Sequence, residues 1–220
     1  MMRTDLRLYA LVDPERAGGR PLDELARAVA DGGATLVQLR DKLGETRAMV
    51  ETARAIKSVL AGRVPLLIND RVDVALAARA DGVHLGQEDM AAIDARRLLG
   101  PDALIGLSIK TTAQAAAAPI EFLDYVCVGG VFATSSKDNR DPPIGVEGFR
   151  TILSILRERA PDLPVGAIAG IDATNASELI EAGADGVAVI SALSLAGDPA
   201  TAARGLRRIV DSALARRASP

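Results

Sequence analysis

The residues best suited to chemistry are two aspartates, each set just beyond an apolar run. Asp70 follows Leu66-Leu67-Ile68-Asn69, and Asp89 follows the stretch "GVHLGQE". A strand-end aspartate can simply cap the next helix. Two of them on neighbouring strands can instead converge on one cation. Lysine use points the same way: arginine supplies most of the positive charge, and the only lysines are Lys42, Lys57, Lys110 and Lys137. Lys57 falls in a helical pattern and reads as a solvated residue. The other three follow the second, fifth and sixth apolar runs. A compact ammonium suits a phosphate oxygen, and "QLRDK" sets Gln38, Arg40 and Lys42 at alternate positions on one face of a strand. Two carboxylates among these cations fit an oxygen-ligated Mg²⁺ with a polyanion, because Mg²⁺ takes one or two carboxylates and completes its shell with phosphate and water. In "VGGVFATSSKDN" glycines and hydroxyls surround Lys137, the makings of an anion-binding loop. "AIAGIDATN" and "AVISALS" supply small residues for a second, plain phosphate pocket. His84, the single histidine, sits mid-strand and reads as a core residue rather than a base.

Elements that alternate in a regular order must position these groups. Apolar runs such as "LRLYALV", "TLVQLR", "VPLLIN" and "DYVCVG" are separated by segments with helical periodicity. In "LDELARAVA", Leu22, Leu25, Ala26 and Val29 recur at i, i+3, i+4 and i+7. Glycines at 32–33, 62, 100 and 183 close helical segments. Runs apolar at nearly every position suit parallel strands covered on both faces. Eight β/α units predict a single (β/α)8 TIM barrel, an α/β fold, filling the chain as one domain of 1–220 with its core at about 6–217. The C-terminal strand ends would then bring Asp70, Asp89 and the lysines to one mouth.

Composition excludes several alternatives. Charge is nearly balanced at −3 and aromatics make up 2%, which disfavours nucleic-acid binding. The lone Cys127 cannot form an intrachain disulfide, and no run has the length of a membrane helix, so a soluble cytoplasmic chain with no membrane partner is expected. Oligomeric state is not legible, and a homo-oligomer stays open.

The motifs "LYALVD", "VQLRDK", "INDRVDVALAARADGVHLGQEDM", "VGGVFATSSK" and "GADGVAVISAL" together resemble the thiamine phosphate synthase (thiamine-phosphate pyrophosphorylase) family, from about Leu8 to Leu193. The resemblance implies a transferase of thiamine biosynthesis that joins 4-amino-5-hydroxymethyl-2-methylpyrimidine diphosphate to a thiazole phosphate and releases pyrophosphate. It implies Asp70 and Asp89 as Mg²⁺ ligands, and Arg40, Lys42, Asn69 and Lys137 as pyrophosphate contacts. Gln38 and Ser108 would lie near the pyrimidine. Thr134 and Ser136, with backbone around Gly170, Ile190 and Ser191, would hold the thiazole phosphate. Arg40, Lys42, Ser108 and Lys137 are the residues expected to serve catalysis. The chain departs from the family pattern at Lys110, where a histidine is usual, and at Gly130, Ala133 and Ser136. Three rival readings remain: a thiazole tautomerase, a Schiff-base aldolase using Lys110 or Lys137, and a phosphometabolite-binding barrel without catalysis.

Overall fold

The computed structural model describes residues 4–134 and 142–218. Among the described residues, eight parallel strands close into a barrel in sequential order. They are β1 (Leu8–Val12), β2 (Leu36–Leu39), β3 (Leu66–Asn69), β4 (Gly82–Leu85), β5 (Leu104–Ile109), β6 (Tyr125–Val128), β7 (Val165–Ile168) and β8 (Gly186–Val189). The helices between and after them are α1 (Leu22–Asp31), α2 (Thr46–Leu60), α3 (Val72–Ala78), α4 (Ala92–Leu99), α5 (Thr112–Ala117), α6 (Gly145–Arg159), α7 (Ala176–Glu181), α8 (Ser191–Ser194) and α9 (Pro199–Ala218). This is the (β/α)8 barrel expected from the alternation of runs.

The strict two-residue period of the strands divides the core in two. Leu8, Ala10, Val12, Val37, Leu39, Leu66, Ile68, Val83 and their counterparts pack outward against the helices. Tyr9, Leu11, Leu36, Leu67, Tyr125 and Cys127 form a separate cluster inside the barrel. Both tyrosines, the one histidine and the one cysteine of the chain sit on these interior positions. Glycine makes room for them: a Cβ on Gly106 would lie 2.0 Å from the Tyr125 ring.

The end of the barrel away from the site carries a recurring strut. Just before each of three even-numbered strands stands an aspartate that accepts a backbone N–H from the first or second residue of the preceding odd strand. Asp81 accepts from Leu66 at 2.8 Å, Asp124 from Ile105 at 2.7 Å and Asp185 from Val165 at 2.8 Å. Each is also paired with a base from the helix one unit earlier, Lys57 of α2, Arg96 of α4 and Arg157 of α6. Thr35 does the same for Leu8 through a hydroxyl. The barrel therefore repeats every two β/α units, a periodicity hidden in the sequence behind unequal spacings. Lys57 is not a merely solvated residue, since it forms part of this strut.

Candidate active site

At the opposite end, the interior positions that continue each strand converge on a cavity of about 430 Å³. Gln38 and Arg40 reach it from β2, Asn69 from β3, His84 from β4, and Ser108 and Lys110 from β5. Thr134, Gly170, Ile190 and Ser191 line the other side. Parallel strands oblige this convergence, because every C-terminal end opens on the same face.

Neither aspartate caps a helix. The residue before α3 is Arg71, that before α4 is Ala91, and neither helix end has a side-chain cap. Asp70 instead adopts a left-handed backbone conformation, φ +61, and its N–H donates to the His84 carbonyl at 2.9 Å. That turn, which aspartate tolerates better than most residues, brings its carboxylate to Lys42, with which it pairs. Asp89 accepts from the Gly86 N–H at 2.7 Å, folding the loop after β4 back toward Asp70. Burial holds the Asp70 carboxyl above the ordinary carboxylate range; the adjacent Asp89 carboxylate raises it further, and Lys42 opposes both. The two acids thus meet at one edge of the mouth.

Arg40 is aimed by a residue absent from the expected set. Asp13, 1% exposed at the end of β1, accepts from the Glu15 N–H at 2.9 Å with one oxygen and pairs with Arg40 through the other. The signal was its place at the end of "LYALVD", the same strand-end position that singled out Asp70. Two polar atoms on the cavity wall, the Asn69 Nδ2 and the Gln38 Oε1, are buried and lack a protein partner among the described residues.

Deeper in the barrel, His84 is bonded on both ring nitrogens, to the Tyr125 hydroxyl and the Ser108 Oγ, each at 2.8 Å. It is 6% exposed, as a core histidine would be, yet it touches the cavity. Burial raises the Tyr9 and Tyr125 hydroxyls above the usual tyrosine range and pushes the Cys127 thiol up to about 12, so all three are neutral hydrogen-bonding or packing groups.

On the far side, the chain leaving β6 pairs with β7: the Phe132 N–H donates to the Ala169 carbonyl at 3.1 Å. Ala169 and Gly170 both have positive φ, and a Cβ on Gly170 would lie 2.4 Å from the Ala133 carbonyl oxygen. Only glycine permits that approach, which sets Thr134 beside Gly170 and the start of α8. Ser136 and Lys137 lie outside the described residues.

A barrel with a paired-acid and cation cluster on one side of its mouth and a small-residue turn on the other defines a phosphate-handling enzyme of the (β/α)8 class. The family model described as thiamine monophosphate synthase matches residues 8–193. The thiamine-phosphate synthase of Agrobacterium fabrum is 55% identical over 215 residues, covering 97% of this chain and 98% of that protein. That of Moorella thermoacetica is 46% identical over 208 residues, covering 94% and 96%. The solved structure of thiamine phosphate pyrophosphorylase from Pyrococcus furiosus superposes with a TM-score of 0.83 at 37% identity, covering 96% of this chain and 98% of that one. A 3-hexulose-6-phosphate synthase, at 18% identity and a TM-score of 0.65, shares the fold alone. The chain belongs to the thiamine monophosphate synthase family, and its activity is that family's transferase activity.

Proposed function

We propose that this barrel couples an aminopyrimidine methyl diphosphate to a thiazole phosphate by dissociative substitution, with the diphosphate bound at the Asp70–Asp89 edge and the thiazole phosphate at the Gly170–Ser191 side. The observation that carries the reading is the meeting of Asp70 with Asp89 and Lys42, close along the chain to Asn69 and Arg40, which line the cavity. Small-molecule substrates fit its volume of about 430 Å³.

The residues present fit a divalent cation. Asp70 and Asp89 offer carboxylate oxygens to Mg²⁺, and the Asp70 anion is disfavoured by burial and by its neighbour Asp89. When bound, Mg²⁺ would supply charge neutralisation for a departing diphosphate. The chain's own cations add to this. Arg40, fixed by Asp13, presents its remaining guanidinium N–H groups to phosphate oxygens, and Lys42 can leave Asp70 for the same oxygens. The buried Asn69 amide supplies a further donor. Lys137 is assigned to the leaving diphosphate by its motif alone. As the C–O bond breaks, the electron-rich pyrimidine carries positive charge at the methylene carbon and the diphosphate takes the electron pair. The thiazole nitrogen then supplies the pair for the new C–N bond. The residues stabilise charge and hold the two partners, so no protein nucleophile is required.

Gln38 and Ser108 hold the pyrimidine in this reading, and Thr134, Ser136 and the backbone of Gly170, Ile190 and Ser191 hold the thiazole phosphate. The unit is one barrel domain with its core at about 6–217, working in the cytoplasm. Among the described residues no helix is long and apolar enough to cross a membrane.

Thermal shift with inorganic pyrophosphate tests the metal-assisted site. Pyrophosphate and Mg²⁺ together should raise Tm more than the sum of each alone, and Asp70→Asn should remove the synergy. Equal stabilisation by pyrophosphate without Mg²⁺, unchanged in Asp70→Asn, would rule it out.

A further inference from the structure

A continuous chain of hydrogen bonds runs through the barrel interior from Gln38 to Ser108, two groups on the wall of the same cavity. The Gln38 Nε2 meets the Tyr9 hydroxyl. Tyr9 and Tyr125 are joined hydroxyl to hydroxyl at 2.9 Å. Tyr125 meets the His84 Nδ1 at 2.8 Å, and the His84 Nε2 meets the Ser108 Oγ at 2.8 Å. The tyrosines and Gln38 are at most 1% exposed, so water does not compete for the interior links.

Each tyrosine has one hydroxyl proton, and a neutral imidazole has one N–H. With every link formed and no buried hydroxyl proton left unbonded, proton count lets the chain run in only two directions. With the amide nitrogen of Gln38 donating to Tyr9, Tyr9 donates to Tyr125, Tyr125 donates to Nδ1, and the His84 proton resides on Nε2 and goes to Ser108. Ser108 then has its own proton to give to the cavity, while the Gln38 Oε1, which lacks a protein partner, stands as an acceptor. Reversing the amide reverses every link: Gln38 then offers a donor and Ser108 an acceptor. The two ends cannot change polarity independently.

We infer that Tyr9, Tyr125 and His84 are positioning residues that lock the Gln38 and Ser108 ends into acceptor-plus-donor polarity, and that this polarity selects an amino-substituted ring, N–H donor beside ring-nitrogen acceptor, over its oxo counterpart. This rests on the proposed binding of an aminopyrimidine in the cavity. An oxo ring held in the same orientation by its methyl and hydroxymethyl substituents presents the opposite pattern, a carbonyl acceptor beside a ring N–H, and would require the whole chain to reverse or one buried link to break. Nothing in the packing alone distinguishes the two rings, which are nearly isosteric.

The single histidine makes the chain directly readable. In untagged, ¹⁵N-histidine-labelled protein, the imidazole shifts should report an Nε2–H tautomer with Nδ1 as a strong acceptor. Tyr125→Phe, which removes the hydroxyl and keeps the ring, should lose that signature. The second measurement is calorimetric binding of 4-amino-5-hydroxymethyl-2-methylpyrimidine against its 4-oxo analogue. The wild type should prefer the amino ring, and Tyr125→Phe and Tyr9→Phe should each narrow the preference by about tenfold, the size of one buried hydrogen bond. Tyr9→Phe stands in if Tyr125→Phe does not fold. An Nδ1–H tautomer in the wild type would overturn the inference. So would undiminished preference in a folded Phe variant, which would leave the aminopyrimidine reading standing. A wild type that binds neither ring would overturn both.

Discussion

The struts at the closed end of the barrel differ in burial, and that difference fixes the order of their contributions. In Asp124→Ala the Ile105 N–H loses a charged acceptor and Arg96 loses its carboxylate, in a pair whose side chains are only 18% and 8% exposed. A lost bond to a charged acceptor costs about 1.5 kcal/mol or more. Stranding a largely buried guanidinium costs about 3–5 kcal/mol in full. Arg96 keeps the carbonyls of Ala103 at 2.5 Å and Phe122 at 3.1 Å, which offsets part of that loss. A total of about 3.5 kcal/mol is expected for Asp124→Ala. Asp81→Ala loses the same kind of backbone bond from Leu66, but its Lys57 pair is 36% and 40% exposed. Such a pair contributes about 0.5 kcal/mol, giving about 2 kcal/mol in all. Urea unfolding of the two variants should separate them by about 1.5 kcal/mol, or by about 3–6 °C in Tm for a chain of this size. At temperatures where both are folded, turnover should match the wild type, because the struts lie at the strand ends remote from the cavity. Equal losses, or Asp81→Ala being the worse, would refute the burial reasoning. A turnover defect in folded Asp124→Ala would refute the separation of stability face from active face.

Three further outcomes follow from the site. A raised carboxyl pKa means that folded Asp70 binds a proton more tightly than the unfolded chain does, so its contribution opposes folding above the folded pKa and fades as pH falls through it. Asp70→Asn should therefore raise the metal-free Tm at neutral pH, and the gain should shrink toward acid in a melting series. Arg40→Lys keeps the charge but cannot satisfy Asp13 and a phosphate with one planar fork; steady-state kinetics should show kcat/KM reduced about tenfold or more with Tm little changed. Lys110→Met removes a cation from the cavity wall, and KM for the diphosphate substrate should rise by about tenfold with kcat less affected.

The fold was legible because its signals are local. Strands apolar at nearly every position and helices with a 3.6-residue period alternate without interruption, and only a parallel closed or doubly wound sheet accommodates that pattern. Asp70, Asp89, Arg40 and Lys42 were legible for a related reason: polar groups at the C-terminal ends of otherwise apolar strands have few structural uses, and parallel topology brings those ends together. The Asp13–Arg40 pair was not, since it joins strand ends 27 residues apart and its carboxylate also caps a local turn. The Tyr9–Tyr125–His84 chain was hidden for a deeper reason. Each residue by itself fills an ordinary interior position, and only closure of the barrel brings Tyr9 within reach of Tyr125, 116 residues away. The struts at Asp81, Asp124 and Asp185 escaped notice because the repeat they mark spans two β/α units and is stretched between the sixth and eighth strands.

Pyrophosphate release tests the coupling reaction most directly. Purified protein is supplied with the pyrimidine diphosphate and Mg²⁺, with and without the thiazole phosphate, beside Asp70→Ala and an EDTA control. Release that requires the thiazole, matches thiamine phosphate formed one for one, and disappears in both controls is the expected result. Release independent of the thiazole, or undiminished by EDTA and Asp70→Ala, would contradict the metal-assisted coupling.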